Sequence, residues 1–428
     1  MDALYEAFVK IQNQNLYIRC EPEVLDFTSK RPGKLIIETK AVSLEIPFGD
    51  DLIKLKEYLG ILQLYLGGKD SVVMTWNLKN FLSYVRGKTG VDFNLNGSIF
   101  DLSFLESYFG ENNTCPKSFE EASQRLKKLI GNNNWSRVNK VYKEVYLPLI
   151  KLIPKIETYG LSHKQKRSKV YPAYTIDGQI NGRMKCSNIF SSSYNPHSLG
   201  FEEKENLKAP GFDYCFLSFD FKHMEVSVLQ WLSNDDFMGE ILNSGKDFYE
   251  AIWEILTQSS CNADRRQLCK DFFLPVFYGA GADALAQRLK WPSESCKTLI
   301  NRIHKTLPMA SNWILNQQRK SNGEAVDCYA RRRSFDSAHK VRNFVVQSPA
   351  SLVCLHKLVL LMQALGDLAA VCMHIHDGYV LSVKKENLFK TYKLTKQILE
   401  SENDLYPGLK LKTGCKMGVN LNELILYP

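Results

Sequence analysis

The segment Ala369–Val383, AAVCMHIHDGYVLSV, constrains this chain more than any other. Two apolar arms flank His376-Asp377-Gly378. That pattern predicts a β-hairpin with an acid at its tip. A second apolar run, Phe216–Asp220 (FLSFD), also ends on an acid. Strands of this kind need a sheet and a covering layer. Helical spacing supplies the layer at His223–Asp235 and at Asp264–Leu289, the latter broken near Tyr278-Gly279. From Tyr171 onward strands and helices alternate, so the fold class is α/β or α+β.

The first part of the chain repeats the mixture. Lys34–Ile46 is rich in β-branched residues and reads as strand. Asp51–Leu66 has apolar residues at helical spacing and an acidic start. Ser71–Leu78 reads as strand. Glu111 to Asn134 is polar and Asn-rich, a natural boundary, and Val138–Leu161 is helical but interrupted by prolines. At about 150 residues per domain, 428 residues predict two to three domains.

Composition closes off several classes. Apolar residues at 44% and charged residues at 24% are ordinary globular values, which excludes disorder and collagen. The eleven cysteines include no CxxC pair, which disfavours a zinc site or a disulfide framework and fits a reducing compartment. No uninterrupted apolar run reaches the roughly 18 residues of a membrane span, and no apolar segment follows Met1 as in a secretory signal. The net charge of +9 permits nucleic-acid binding without requiring it.

A single acid at a strand end is commonly a turn or cap residue. Two become informative if their strands are neighbours. They could then hold two divalent ions about 3.5–4 Å apart, the spacing that clamps attacking and leaving oxygens in phosphoryl transfer. Carboxylate oxygens suit magnesium. Arg266, Lys270, Leu274 and Tyr278 recur every four residues and so form a slowly drifting helical stripe. The stripe is either a surface row of cations running into core, or a grip for a polyphosphate with an aromatic face beside it. Pro275 removes one helical hydrogen bond, that to the carbonyl of Asp271. The segment Ser162–Pro172 carries Lys164, Lys166, Arg167 and Lys169 without an acid. It reads either as a solvated loop or as a phosphate-contacting one.

In chain order these pieces resemble the three polymerase motifs of the family A DNA polymerases, the bacterial DNA polymerase I type. Asp220-Phe221-Lys222-His223-Met224-Glu225 resembles the family's D-Y-S-Q-I-E. Arg266…Lys270…Tyr278-Gly279 resembles R-x-x-x-K…Y-G, and His376-Asp377 resembles H-D-E. Three further fragments agree: Asn181-Gly182-Arg183 with T-G-R, Gly323…Ala330-Arg331-Arg332-Arg333 with G…G-R-R-R, and Asn343…Gln347-Ser348 with N-x-x-x-Q, a stretch seen particularly in phage members. The resemblance covers Tyr171 to the C-terminus.

The resemblance implies roles. Asp220 and Asp377 would carry two magnesium ions, with manganese as a substitute, and the Phe221 carbonyl would be an extra ligand. Arg266 and Lys270 would hold the triphosphate of a deoxynucleoside triphosphate. Tyr278 would stack near the templating base, Leu274 would face the sugar, and Glu225 would exclude a ribose 2′-hydroxyl. Arg183 and Gln347 would read the minor groove of primer-template DNA, with His376 at the primer terminus. Arg331, Arg332, Lys164, Lys166 and Arg167 would contact DNA. Leu274 stands where the family usually has Phe or Tyr, Pro275 replaces a usual Gly, Gly378 a usual Glu, and Ser227 a usual Arg.

Thr75–Gly110 resembles the middle of the family's 3′–5′ exonuclease domain. That activity needs four metal-binding acids. The acid expected after N-L-K falls near Phe81, no D-x-E strand is recognisable, and Y-x-x-x-D is absent around Asn132–Glu144. Asp101 alone persists. The expected organisation is therefore a degenerate exonuclease-like domain over 1–112, a shortened thumb over 113–172, and palm and fingers over 173–428, with fingers at about 236–325. A short thumb implies weak hold on template, and so a processivity factor or replisome partner. No membrane association is expected, and the expected location is cytoplasmic, in a phage-infected bacterial host. The competing expectations are a catalytically silent DNA-binding subunit and a single-subunit RNA polymerase. Glu225 argues against the RNA polymerase.

Overall fold

In the computed structural model, residues 9–23, 25–28, 33–48, 51–66, 68–111, 114–166, 168–188 and 192–427 are described. The chain divides into two compact units. One comprises residues 1–220, 354–398 and 414–428, the other residues 221–353 and 399–413.

The first unit holds two five-stranded sheets. In the N-terminal sheet the strands run in the order Ser43–Phe48, Gly33–Glu38, Leu16–Glu21, Val72–Thr75, Ser98–Asp101. The first three are antiparallel and the last two join in parallel. The span read as one strand over Lys34–Ile46 is two, because Thr39 N donates to Val42 O at 2.8 Å and turns the chain. The strand within Ser71–Leu78 stops at Thr75, and a helix over Leu78–Thr89 follows. That helix is the crossover a parallel pair requires. It buries Leu78, Phe81, Leu82 and Val85, one helical face.

Next come helices at Phe119–Ile130, Trp135–Val141 and Leu147–Tyr159, with a π-helical turn over Tyr142–Tyr146. Ser118 caps the first by accepting from Glu121 N, and Glu121 accepts from Lys117 N. Pro148 stands at the second position of the last helix, directly after the π-helical turn, and Pro154 lies inside that helix.

The second sheet orders its strands Ala369–Ile375, Gly378–Lys384, Tyr214–Lys222, Lys412–Gly418, Ile425–Leu426. The predicted hairpin is its first two strands. Phe216, Leu217, Phe219, Val380 and Leu381 are buried in and around it. The run ending at Asp220 continues as strand through Lys222.

The second unit is mainly helical: Met224–Ser233, Asp236–Asn243, Phe248–Thr257, Ala263–Phe277, Ala282–Leu289, Ser293–Thr306 and Pro308–Lys320, with a short hairpin Glu324–Val326/Arg332–Ser334. Its core includes Phe248, Phe273, Phe277, Ile303 and Ile314. The helix bearing Pro275 runs on for two more residues before it ends.

The helix Ala338–Leu365 is 28 residues long. By length and composition this helix could cross a bilayer, with mean hydropathy 1.6 over its most apolar window. However, 89% of that window is buried inside the protein, as in a core helix.

Candidate active site

Antiparallel pairing of Tyr214–Lys222 with Gly378–Lys384 sets Phe219 opposite Tyr379 and Asp220 opposite Gly378. Asp377 is the residue before Gly378, so the two acids lie one step apart at the same end of the sheet. Asp220 is exposed and Asp377 half-buried. Gly378 has a steric role: a Cβ there would stand 2.9 Å from Phe219 O and 3.1 Å from Asp220 Oδ1. The missing side chain leaves that space to the Asp220 carboxylate.

Two hard carboxylates beside the backbone of Phe221 match what magnesium takes: a few protein oxygens, with water and phosphate completing an octahedron. Among the described residues no three His, Cys, Asp or Glu side chains cluster as a metal site. The two carboxylates are hard oxygen donors of the kind that suits a divalent cation such as magnesium.

His376, between the arms of the hairpin, has φ 55° and an exposed side chain. Its ring stacks on that of His197, with centroids 4.9 Å apart. Burial, and then proximity to His376, pushes the His197 imidazole pKa down. Arg183, in the same unit, is half-buried, and its amide donates to Asn181 Oδ1 at 3.2 Å.

In the second unit, the helix Ala263–Phe277 buries Cys269, Phe272, Phe273, Val276 and Phe277. Arg266, Lys270 and Leu274 lie on its less buried side, with Tyr278 at its end. Arg266 meets Asp247, Nη2 to Oδ2 at 2.6 Å. Asp247 also faces His223 Nε2 at 3.3 Å, and its other oxygen accepts from Tyr249 N and Glu250 N at the start of Phe248–Thr257. Burial alone would raise the Asp247 carboxyl. The Arg266 guanidinium, His223 and the helix amides outweigh burial and hold it below the usual carboxylate range.

Three sequence candidates meet at one carboxylate. The Tyr278 hydroxyl donates to Glu225 Oε2, and Gln347 Nε2 donates to Glu225 Oε1 at 3.1 Å. Gly279, at φ 94°, is the close-approach point beside them. A Cβ there would lie 2.3 Å from His339 Nδ1 and 3.1 Å from Arg342 Nη1.

Arg331 must be removed from the DNA-contacting set. It is 0% exposed, and its amide donates to the buried Asp327 carboxylate at 2.9 Å. A side chain enclosed by protein has no face for a phosphate. Arg332 beside it is exposed, 3.7 Å from Glu324. Lys164 pairs with Glu205 at 2.7 Å, Lys166 is exposed, and Arg167 lies outside the described residues.

In the N-terminal sheet Asp101 is 2% exposed and committed to structure. It accepts from Leu78 N at 2.7 Å, Ser103 Oγ at 2.6 Å and Phe104 N at 3.3 Å, and burial pushes its carboxyl up. Phe81 is core, edge-on to Phe93. Sequence reasoning did not single out Asp247, His197 or Asp327. Only Asp247 had a signal, as an acid just before an apolar helix.

Comparison with known proteins gives three findings. The model of DNA polymerase family A matches residues 111–423. The DNA polymerase of Bacillus phage SP01 is 22% identical over 273 residues, which is 54% of this chain and 29% of that protein. DNA polymerase I of Helicobacter pylori strain J99 is 21% identical over 368 residues, 78% of this chain and 38% of that protein. The chain thus spans well under half the length of these relatives. Among solved structures, the POL domain of Pol1 from M. smegmatis in complex with DNA primer-template and dNTP superposes with a TM-score of 0.75 at 11% identity. That match covers 98% of this chain and 97% of that one.

Proposed function

This chain belongs to DNA polymerase family A, and from that membership and the acid pair we propose that it is a template-directed DNA polymerase. It adds deoxynucleotides from their triphosphates to the 3′-hydroxyl of a primer. The observation that carries the reading is the register that puts Asp220 opposite Gly378 and so beside Asp377.

The hydroxyl oxygen gives up its proton to solvent and attacks the α-phosphorus, a new P–O bond forms, the α–β bridging P–O bond breaks, and pyrophosphate leaves. Asp220 and Asp377 would hold two magnesium ions, with manganese able to substitute and the Phe221 carbonyl as a further ligand. Bound there, such ions would supply activation of the hydroxyl and neutralisation of charge on the triphosphate and leaving group. Arg266 and Lys270 bind the triphosphate, and Arg266 exchanges Asp247 for phosphate when it does so. The Glu225 carboxylate is fixed by Tyr278 and Gln347, which keeps it rigid enough to exclude a 2′-hydroxyl. Leu274 borders the sugar and Tyr278 the templating base. Arg183 and Gln347 read pairing geometry in the minor groove, and His376 lies at the primer end. Arg332, Lys164, Lys166 and Arg167 contact the DNA backbone.

We assign residues 1–112 to an exonuclease-like domain without proofreading activity. The use of Asp101 as a buried cap supports this. Residues 113–172 are a short thumb and 173–428 palm and fingers, with fingers at about 236–325. A short thumb calls for a processivity or replisome partner. The likeness to a phage enzyme supports a phage-type replicase in an infected bacterial cytoplasm.

The test is extension of a labelled primer-template with and without magnesium, with dNTPs or rNTPs. Magnesium-dependent lengthening with dNTPs and no primer shortening is expected. Binding without extension would leave a silent DNA-binding subunit, and a preference for rNTPs would leave an RNA polymerase.

A further inference from the structure

The first unit contains a buried polar chain that none of the assigned roles uses. It starts on the N-terminal domain's helix Leu78–Thr89. Lys79 and Ser83 stand one turn apart on that helix and both reach Glu157, near the end of Leu147–Tyr159. Lys79 Nζ lies 2.9 Å from Glu157 Oε1, and the Ser83 hydroxyl donates to Oε2. Glu157 is 0% exposed, so this is a charge taken out of water and matched with care.

The same Oε1 accepts from Tyr174 N at 2.6 Å. The ring of Tyr174 extends to the hairpin, where its hydroxyl meets both backbone groups of His374. It accepts from His374 N and donates to His374 O, each at 3.0 Å. His374 is three residues before Asp377, on the arm that leads into the turn. The other arm is held separately: the Tyr379 hydroxyl, two residues past Asp377, donates to Cys354 O at 2.7 Å.

A hairpin tip moves with its arms, and metal-binding geometry tolerates little displacement. We propose that Glu157 and Tyr174 are positioning residues for Asp377, and that the N-terminal domain, through Lys79 and Ser83, holds the catalytic hairpin in register. The domain thereby has a function that does not depend on exonuclease chemistry. This inference rests on the assignment of Asp377 as a metal-binding acid.

The chain has two gentle break points. Tyr174→Phe keeps the ring and removes both bonds to His374. Ser83→Ala removes one bond to Glu157 from the side of the N-terminal domain. Each full-length variant is compared with the parent for Mn2+ affinity by electron paramagnetic resonance, for kcat and KM in primer extension, for primer-template Kd, and for the melting midpoint. Tyr174→Phe is expected to weaken Mn2+ binding and to lower kcat by about tenfold each, with DNA Kd within about twofold. Ser83→Ala should move the same two quantities in the same direction by less. A merely structural role would lower the melting midpoint and leave metal affinity and kcat of the folded protein unchanged, and that result overturns the proposal. Asp377→Asn is run beside them. If it leaves Mn2+ binding and extension intact, the assignment of Asp377 fails. If it abolishes both while Tyr174→Phe changes neither, only the positioning inference fails.

Discussion

Asp220 stands directly across the antiparallel ladder from Gly378, so the residue before that glycine, Asp377, is its immediate diagonal neighbour. The glycine itself is the spacer: any side chain there enters the volume of the Asp220 carboxylate and of the Phe219 carbonyl.

Gly378→Ala should therefore lower kcat by about tenfold and destabilise the fold by about 1–3 kcal/mol, the usual penalty for overpacking a tight site. Steady-state extension and thermal melting check it. A variant with the parent's kcat would show that the space beside Asp220 is not needed.

Asp377→Ala should abolish incorporation while primer-template binding, followed by fluorescence anisotropy, stays close to that of the parent. Removing one of two carboxylates leaves too few oxygen ligands to hold metals in place. Extension at the parent's rate would refute the metal assignment.

Lys270→Ala should raise the KM for dNTP by about ten- to a hundredfold, as expected for a lost charge-assisted hydrogen bond of about 1.5–3 kcal/mol. The Kd for DNA should hardly move. Lys270 is exposed on the less buried side of its helix, so stability should not change. An unchanged KM would place the triphosphate elsewhere.

Asp101→Ala should cost about 2–4 kcal/mol of stability. It removes a helix cap and orphans the buried Leu78 amide. It should leave primer shortening where the parent has it, at background. A metal-dependent loss of nucleotides from the primer in the parent, abolished in this variant, would restore an exonuclease role to Asp101.

Burial pushes the Asp327 carboxyl up to about 6 in the folded chain. The folded state thus holds this proton more tightly than the unfolded state, whose carboxyl titrates near 3.8. Between those values the unfolded chain is deprotonated and the folded one is not, so this group's contribution to stability falls as pH rises and levels off above about 6. Asp327→Asn cannot titrate. Its stability relative to the parent should improve by about 2–3 kcal/mol between pH 4 and 7, measured by denaturant melts. A gap that stays constant over this range would contradict it.

Much of the architecture was legible because its signals are local. Two apolar arms around His-Asp-Gly give a local hairpin signal, and the stripe through Arg266, Lys270, Leu274 and Tyr278 follows from helical pitch alone. The N-cap role of Asp247 was equally local, but its grip on Arg266 was not, because the two sit on different helices. Asp101 kept its place in a recognisable pattern, yet its oxygens are spent on Leu78 and Phe104. Arg331 looked like its neighbour Arg332 in a run of arginines. One is enclosed and the other exposed, and what covers a side chain comes from distant parts of the chain.

The sequence by itself determined the hairpin around Asp377, the helical stripe from Arg266 to Tyr278 and which residue types stand at strand ends, because each of these is fixed by neighbours a few positions away. Tertiary structure alone decided that Asp220 and Asp377 are adjacent, that Glu157 joins Lys79 to Tyr174, and that Arg331 is buried. Strand register, ion pairing and enclosure depend on distances between residues remote in sequence, and those distances exist only once the chain has packed.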